Sequence, residues 1–192
     1  MKHEYIDSVI KQFLYYKMLG EKTFDQISEE QLFWQHNPDS NSIATIVKHL
    51  AGNMLSRWTD FMSSDGEKPW RNRDREFEND VASKAEMLRL WKQGWQVMLD
   101  SLRSLSEQDL DKIIYIRNQG HTVIEAINRQ LAHYPYHVGQ IVYIGKMLAA
   151  EWQSLSIAKG NSAQFNTDKF SQAKRRRHFT DDFSDSSVAP DN

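Results

Sequence analysis

The chain contains no cysteine. Disulfides, thiolate metal sites and a cysteine nucleophile are therefore excluded, and imidazole and carboxylate are left as the metal-ligating side chains. Any thiol chemistry would need a thiol brought in by a substrate or cofactor. Glycine and proline are scarce, with eight and four in 192 residues, so little interrupts helical segments. No apolar run approaches the roughly 20 residues that span a bilayer, so no membrane partner is expected. The opening Met1-Lys2-His3-Glu4-Tyr5 lacks the apolar stretch of an export signal, and a cytoplasmic location is expected. Excess charge is missing too. The formal net charge of -2 gives no general attraction to nucleic acid or to an anionic membrane surface. The basic cluster Lys174-Arg175-Arg176-Arg177 is followed by Asp181, Asp182 and Asp185, a pattern of a neutral solvated tail and not of a nucleic-acid site.

What is present is helical periodicity, in four segments of a chain long enough for one domain and one core. The first covers about residues 3–20, where Ile6, Val9, Ile10, Phe13 and Leu14 make an apolar stripe and Gly20 suits a helix end. The second covers about 42–62, after Pro38 and a polar run ending in Ser42, with Ile43, Ile46, Val47, Leu50, Met54, Trp58 and Phe61 at three- and four-residue steps. The third covers about 82–104, and Ser83 with Glu86 has the spacing of a capping box. The fourth covers about 122–149, where Thr122 and Glu125 repeat that spacing. Four such helices predict an all-α four-helix bundle over residues 1–170, followed by a polar, disordered tail over 171–192. The long polar connection 63–81 allows the second and third helices to run parallel. Residues 105–121 read as a brief extended segment and a turn, and 21–41 have room for a short helical turn.

The fourth segment carries His133-Tyr-Pro-Tyr-His137. Residues four apart on a helix point to the same side, so both imidazoles can take adjacent positions on one ion. Two ligands rarely suffice, and His49 on the second segment is the natural third: it borders an apolar stripe, where an unpaired polar group is costly. Packed, hydrogen-bonded histidines are the competing reading. Pro135 removes a backbone hydrogen bond and predicts a bend between the pair. Asn53, Arg129 and Gln140 each lie about one turn from a candidate ligand and can orient it. Trp70, Arg71 and Arg73 in the 63–81 loop, with Asp74, can close over the site and hold an anionic substrate.

The sequence also resembles the DinB-like (YfiT-like) superfamily of metal-dependent proteins, in a branch of unknown function. The resemblance rests on Ser40-Asn-Ser-Ile-Ala44, Lys48-His-Leu-Ala-Gly-Asn-Met54, Ser56-Arg-Trp-Thr-Asp-Phe-Met62, Asp65-Gly-Glu-Lys68, Trp70-Arg-Asn-Arg-Asp74, Asn128-Arg129 and His133-x-x-x-His137-Val-Gly-Gln-Ile141, and it extends through Leu155-Ser-Ile157 to Phe165-Asn166. It implies a four-helix bundle, often a homodimer, with a histidine triad on His49, His133 and His137. Imidazole ligands suit a divalent metal such as zinc, nickel or iron, and the resemblance adds, by likeness to thiol-using transferases and isomerases, a low-molecular-weight thiol such as bacillithiol or mycothiol. Three imidazoles with an open position suit catalysis. The expected function is thus a metal-dependent transferase or hydrolase acting on a small molecule. A metal- or ligand-binding bundle without turnover, serving in stress response, is the alternative.

Overall fold

The computed structural model describes residues 4–183. It is mostly helical, as expected of an all-α chain. Four long helices, α1 (Glu4–Phe24), α3 (Ile43–Trp58), α4 (Lys84–Ser104) and α5 (Val123–Leu148), are joined by a short α2 (Glu29–Leu32) and by a hairpin of β1 (Ile113–Ile116) and β2 (Gln119–Thr122), and α6 (Ser162–Phe170) follows. Among the described residues, no helix is long and apolar enough to cross a membrane.

The helix starts follow from capping chemistry. Ser42 accepts a hydrogen bond from the Thr45 N–H at 3.1 Å, Ser83 from the Glu86 N–H at 3.2 Å, and Thr122 from the Glu125 N–H at 3.2 Å. Of these three starts, the reciprocal half of the capping box forms at Thr122, whereas the Glu86 carboxylate reaches past Ser83 and accepts from the Ala82 N–H at 2.9 Å. Two helix ends differ from the sequence expectation. α1 continues past Gly20 to Phe24 because that glycine is used for close packing, where a Cβ would come within 2.7 Å of the Trp91 ring. α3 stops at Trp58, before residue 62, because Thr59 is extended and Asp60 takes a positive φ of 49°. α5 runs from Val123 to Leu148 without interruption, with Pro135 inside it.

Contacts along the helices fix their directions. Tyr5 donates to Asn128 near the starts of α1 and α5, and Gly145 meets Thr23 near their ends, so these two run parallel. α4 opposes α1, since Trp91 packs on Phe24 and Trp95 on Phe13. α3 opposes α5, with His49 beside His137 and Asn53 bonded to Tyr134. Hence α3 and α4 run parallel, with Gly94 lying against Ala51 and Met54, and residues 59–83 must travel the length of the helices between them. The core is aromatic at its centre: Trp91, Trp95, Phe13 and Tyr134 are all buried, with ring centroids 5.3 Å apart for the tryptophans and 5.8 Å for Phe13 and Tyr134.

The hairpin turns at Arg117 and Asn118, both with positive φ (55° and 59°), the geometry of a tight hairpin turn. It anchors the long connection: Asp65 accepts from the Arg117 and Asn118 N–H groups at 2.9 and 2.8 Å, and the Gly66 N–H donates to the Tyr115 carbonyl at 2.8 Å. At the other end of the chain, the stretch expected to be a solvated tail divides. Residues 178–183 lie on α1, with Tyr15 against Phe179 and Phe183 at 5.8 and 5.7 Å and Lys11 paired to Asp181 at 2.9 Å. The aromatic side chains among its charges give this stretch apolar surface to bury. Residues 184–192 lie outside the described residues.

The contact between α1 and α5 has a direct test. A Cβ at Gly145 would stand 2.3 Å from Thr23 Cγ2, so Gly145→Ala must push the helices apart and should lower unfolding stability by about 1–3 kcal/mol in urea titration. Gly139 on the same helix has nothing within 4 Å of its Cβ position, so Gly139→Ala should instead stabilise by about 0.5–1 kcal/mol.

Candidate metal centre

α3 and α5 bring His49, His133 and His137 together. Each offers one nitrogen, and the three nitrogens lie within 4.8 Å of one another. His133 Nε2 is 3.1 Å from His137 Nε2 and 3.4 Å from His49 Nε2. Two nitrogens each about 2.0–2.1 Å from a shared ion, at a tetrahedral angle, stand roughly 3.3 Å apart, so this cluster has the dimensions of a three-histidine metal centre.

The opposite ring atoms explain why the Nε2 atoms face one another. His49 Nδ1 lies 2.9 Å from Glu76 Oε2, His133 Nδ1 3.3 Å from Gln130 Oε1, and His137 Nδ1 2.8 Å from Gln140 Oε1. These oxygens accept, so each Nδ1 carries the proton and each Nε2 presents a lone pair. Three neutral imidazoles arranged this way cannot hydrogen-bond to one another at Nε2. A shared cation satisfies all three lone pairs at once, and the donor set therefore fits a divalent ion.

Burial supports the neutral state of the two α5 imidazoles. It pushes the His133 imidazole down to about 3, assisted by His137, His49 and Arg129. His137 is also pushed down, mainly by burial and despite the Gln140 hydrogen bond. For Glu76, burial alone would raise the carboxyl, but the bonds from Arg71 and His49 outweigh it and hold the group below its usual range. Arg71 grips that carboxylate with two bonds, Nε to Oε1 at 2.7 Å and Nη2 to Oε2 at 2.9 Å. Arg71 also reaches Glu67 at 3.4 Å, which pairs in turn with Arg57 at 3.0 Å and Arg117 at 3.1 Å. Glu76 belongs to a short 3₁₀ turn, Asp74–Phe77, in the long connection, and it fits against α3 only because residue 52 is glycine: a Cβ there would lie 2.3 Å from Oε1. Phe77 from the same turn stacks on His49 at 4.7 Å.

Tyr134, between the two α5 histidines, locks the helix in rotation. Its fully buried hydroxyl donates to Asn53 Oδ1 and accepts from Trp58 Nε1, both at 3.0 Å, and burial pushes its pKa up.

The other residues expected near the site divide clearly. Gln140 bonds a ligand imidazole as the spacing suggested. Asn53 does not, because Tyr134 occupies its oxygen. Arg71 turns inward to Glu76, with 2% of its side chain exposed, and is not free to meet a substrate. Trp70 is 59% exposed with its ring turned outward. Arg73 lies over the Phe77 ring at 5.0 Å, and Arg129 is exposed one turn before His133. Sequence reasoning missed Gln130 and Glu76. Gln130 was within reach of the same logic, since it precedes His133 by three residues as Gln140 follows His137. Glu76 was not, because it is one of many charged residues in a loop and lies 27 residues from its partner His49. A groove of about 530 Å³ is lined by Trp34, His36, Asp39, Ile46, Gln140 and Tyr143, and of these Gln140 is the residue bonded to the cluster.

With this geometry established, comparison with known proteins gives a family. The family model described as a protein of unknown function, DUF1572, matches residues 1–161. The chain belongs to DUF1572. The match spans all three histidines, Glu76, Gln130 and Gln140, and it ends before α6. A search of curated proteins finds no match.

Two results are expected from the site. Glu76→Ala should weaken zinc binding by about 10–100-fold in titration against a competing chelator, because His49 loses the group that fixes its ring. In the metal-free protein, His133 binds its proton more weakly than an unfolded histidine does. Between about pH 6.5 and its folded value of about 3, the unfolded chain holds the extra proton, so stability should fall as pH falls through that window. Urea midpoints at pH 7.5 and 5.0 check this, and His133→Asn should flatten the dependence.

Proposed function

We propose that this chain is a divalent-metal-dependent enzyme acting on a small molecule, a thiol-dependent transferase or a hydrolase. In this reading the four long helices form a four-helix bundle of the DinB/YfiT-like type, acting as a homodimer in the cytoplasm. The observation that carries it is the convergence of three Nε2 lone pairs, each fixed by an oxygen on the far side of its ring.

His49, His133 and His137 would hold the ion, with zinc, nickel or iron all suited to imidazole. Such an ion supplies Lewis acidity, bringing the pKa of a water or a thiol toward neutrality. The residues around it do the positioning. Glu76, Gln130 and Gln140 keep the three rings in one tautomer, and Arg71 keeps Glu76 in place. Phe77 covers one face of His49 and keeps water from it. All three ligands are neutral, so the positive charge of the centre is left to act on whatever binds the open side. The absence of cysteine from the chain means that an incoming thiol has no protein thiol to compete with. The groove gives a small molecule room on the side of Gln140, the acceptor of His137.

One observation favours a second reading, metal or ligand binding without turnover. Among the described residues, the carboxylate bonded to the cluster is Glu76, and Arg71 and His49 already occupy its oxygens, so it is a poor general base.

Elemental analysis of the purified protein beside a His137→Ala variant tests the shared basis of both readings. About one divalent ion per wild-type chain and a large loss in the variant are expected, and equal content in the two would refute the centre. Metal-dependent turnover across a panel of thiols with electrophiles then separates enzyme from binder.

A further inference from the structure

We infer that the groove lined by Gln140 binds a small apolar amine that also carries a carbonyl oxygen, with the oxygen received by Gln140 and the ammonium by Asp39. This names a substrate class for the proposed function. It rests on that reading at one point, the His137 tautomer that decides which end of the Gln140 amide is free.

The groove has the make-up of a small-molecule site, apolar walls with a few polar groups set into them. Ile46 of α3 is buried there, whereas Trp34, Tyr143 and Met147 line it and are exposed. Three large apolar side chains left to water around one concave surface gain by being covered. The loop that supplies Trp34 and Asp39, between α2 and α3, is held in shape. Asn37 Oδ1 accepts from the Asp39 N–H at 3.0 Å and from the Ser40 hydroxyl at 2.8 Å, and Gln35 donates to the Ser40 carbonyl at 2.9 Å. Little ordering of this loop is therefore left for a ligand to bring about.

Two polar groups select the occupant. Gln140 lines the groove while its Oε1 receives the His137 Nδ1 proton. Its NH2 has no partner among the described residues, and it is the donor that a ligand carbonyl can take. A carbonyl that accepts there polarises the amide and strengthens its bond to His137, so a molecule in the groove is felt at the histidine cluster. Asp39 is the acidic side chain that lines the groove, and no lysine or arginine lines it. Among the described residues the Asp39 carboxylate has neither an ion pair nor a hydrogen bond. An anion in the groove would meet that charge with no cation between them. An ammonium would pair with it and can use the aromatic faces of Trp34 and Tyr143 as well.

Four para-substituted benzenes serve as probes. They are 4-(aminomethyl)benzamide, 4-methylbenzamide without the charge, 4-methylbenzylamine without the amide, and 4-carbamoylbenzoate with the charge reversed. Binding is followed by the indole N–H resonance of Trp34 in isotope-labelled protein, assigned by its disappearance in W34F. At low ionic strength 4-(aminomethyl)benzamide should bind at least about fivefold more tightly than 4-methylbenzamide or 4-methylbenzylamine, and 4-carbamoylbenzoate should bind most weakly. D39N should bring 4-(aminomethyl)benzamide and 4-methylbenzamide within about twofold of each other, and Q140M should do the same for 4-(aminomethyl)benzamide and 4-methylbenzylamine. A Trp34 resonance that answers to none of the probes overturns the inference. So does equal binding of the probes by wild type, or a preference that survives in D39N or in Q140M. Metal content is measured on the same samples. Wild type that binds the probes in the expected order but holds no metal refutes the centre and leaves the groove site standing.

Discussion

Three imidazole lone pairs aimed at one point are an unfavourable thing to build. In a half-buried setting each would ordinarily find a donor, and three together repel. The chain enforces the arrangement from behind, through oxygens of Glu76, Gln130 and Gln140 that claim the Nδ1 protons. Two of these oxygens are neutral amides on the same helix as their histidines, and the third is a carboxylate from a distant loop. The uneven set matters electrostatically. Glu76 donates negative charge through His49 alone, and Arg71 returns positive charge to Glu76, so the cluster has almost no net charge of its own.

The rest of the fold follows from holding α3 and α5 in fixed register. Tyr134 sits between the two α5 ligands and ties Asn53 and Trp58 of α3 to that helix, so a rotation of α5 that moved the histidines would break two buried hydrogen bonds. On the other side of α3, the connection to α4 must run the length of the structure, because the two helices are parallel. That length is what lets one turn of it reach His49. Its path is secured at the hairpin, where Asp65 holds the turn, and along the row of Glu67, Arg57 and Arg117. The long loop therefore packs as a wall of the centre, tied down along its path.

Much of this was legible in the sequence, for reasons that differ by element. The four long helices showed in three- and four-residue apolar periodicity, and the parallel path of α3 and α4 was allowed by the length between them. The histidine pair on α5 was readable from helical geometry alone. His49 needed the added argument that a polar ring beside an apolar stripe wants a partner. The ends of α1 and α3 were less legible, because Gly20 serves a tryptophan across the helix interface and a left-handed Asp60 gives no signal of its own. The docking of residues 178–183 on α1 was hidden by composition: local charge dominates that stretch, while Phe179 and Phe183 act through a ring far away in the chain. Glu76 was hidden for the same physical reason, since long-range pairing leaves no periodic trace.

The separation of the site's parts along the chain also bears on synthesis. His49 and His133 lie 84 residues apart, and Gln140, the last acceptor, comes later still. A growing polypeptide that has emerged as far as α4 offers an ion only His49, with Glu76 from the loop, which is too few donors to keep it. An ion held by all three histidines would therefore join only after α5 has been made and packed, fitted to a framework that already stands.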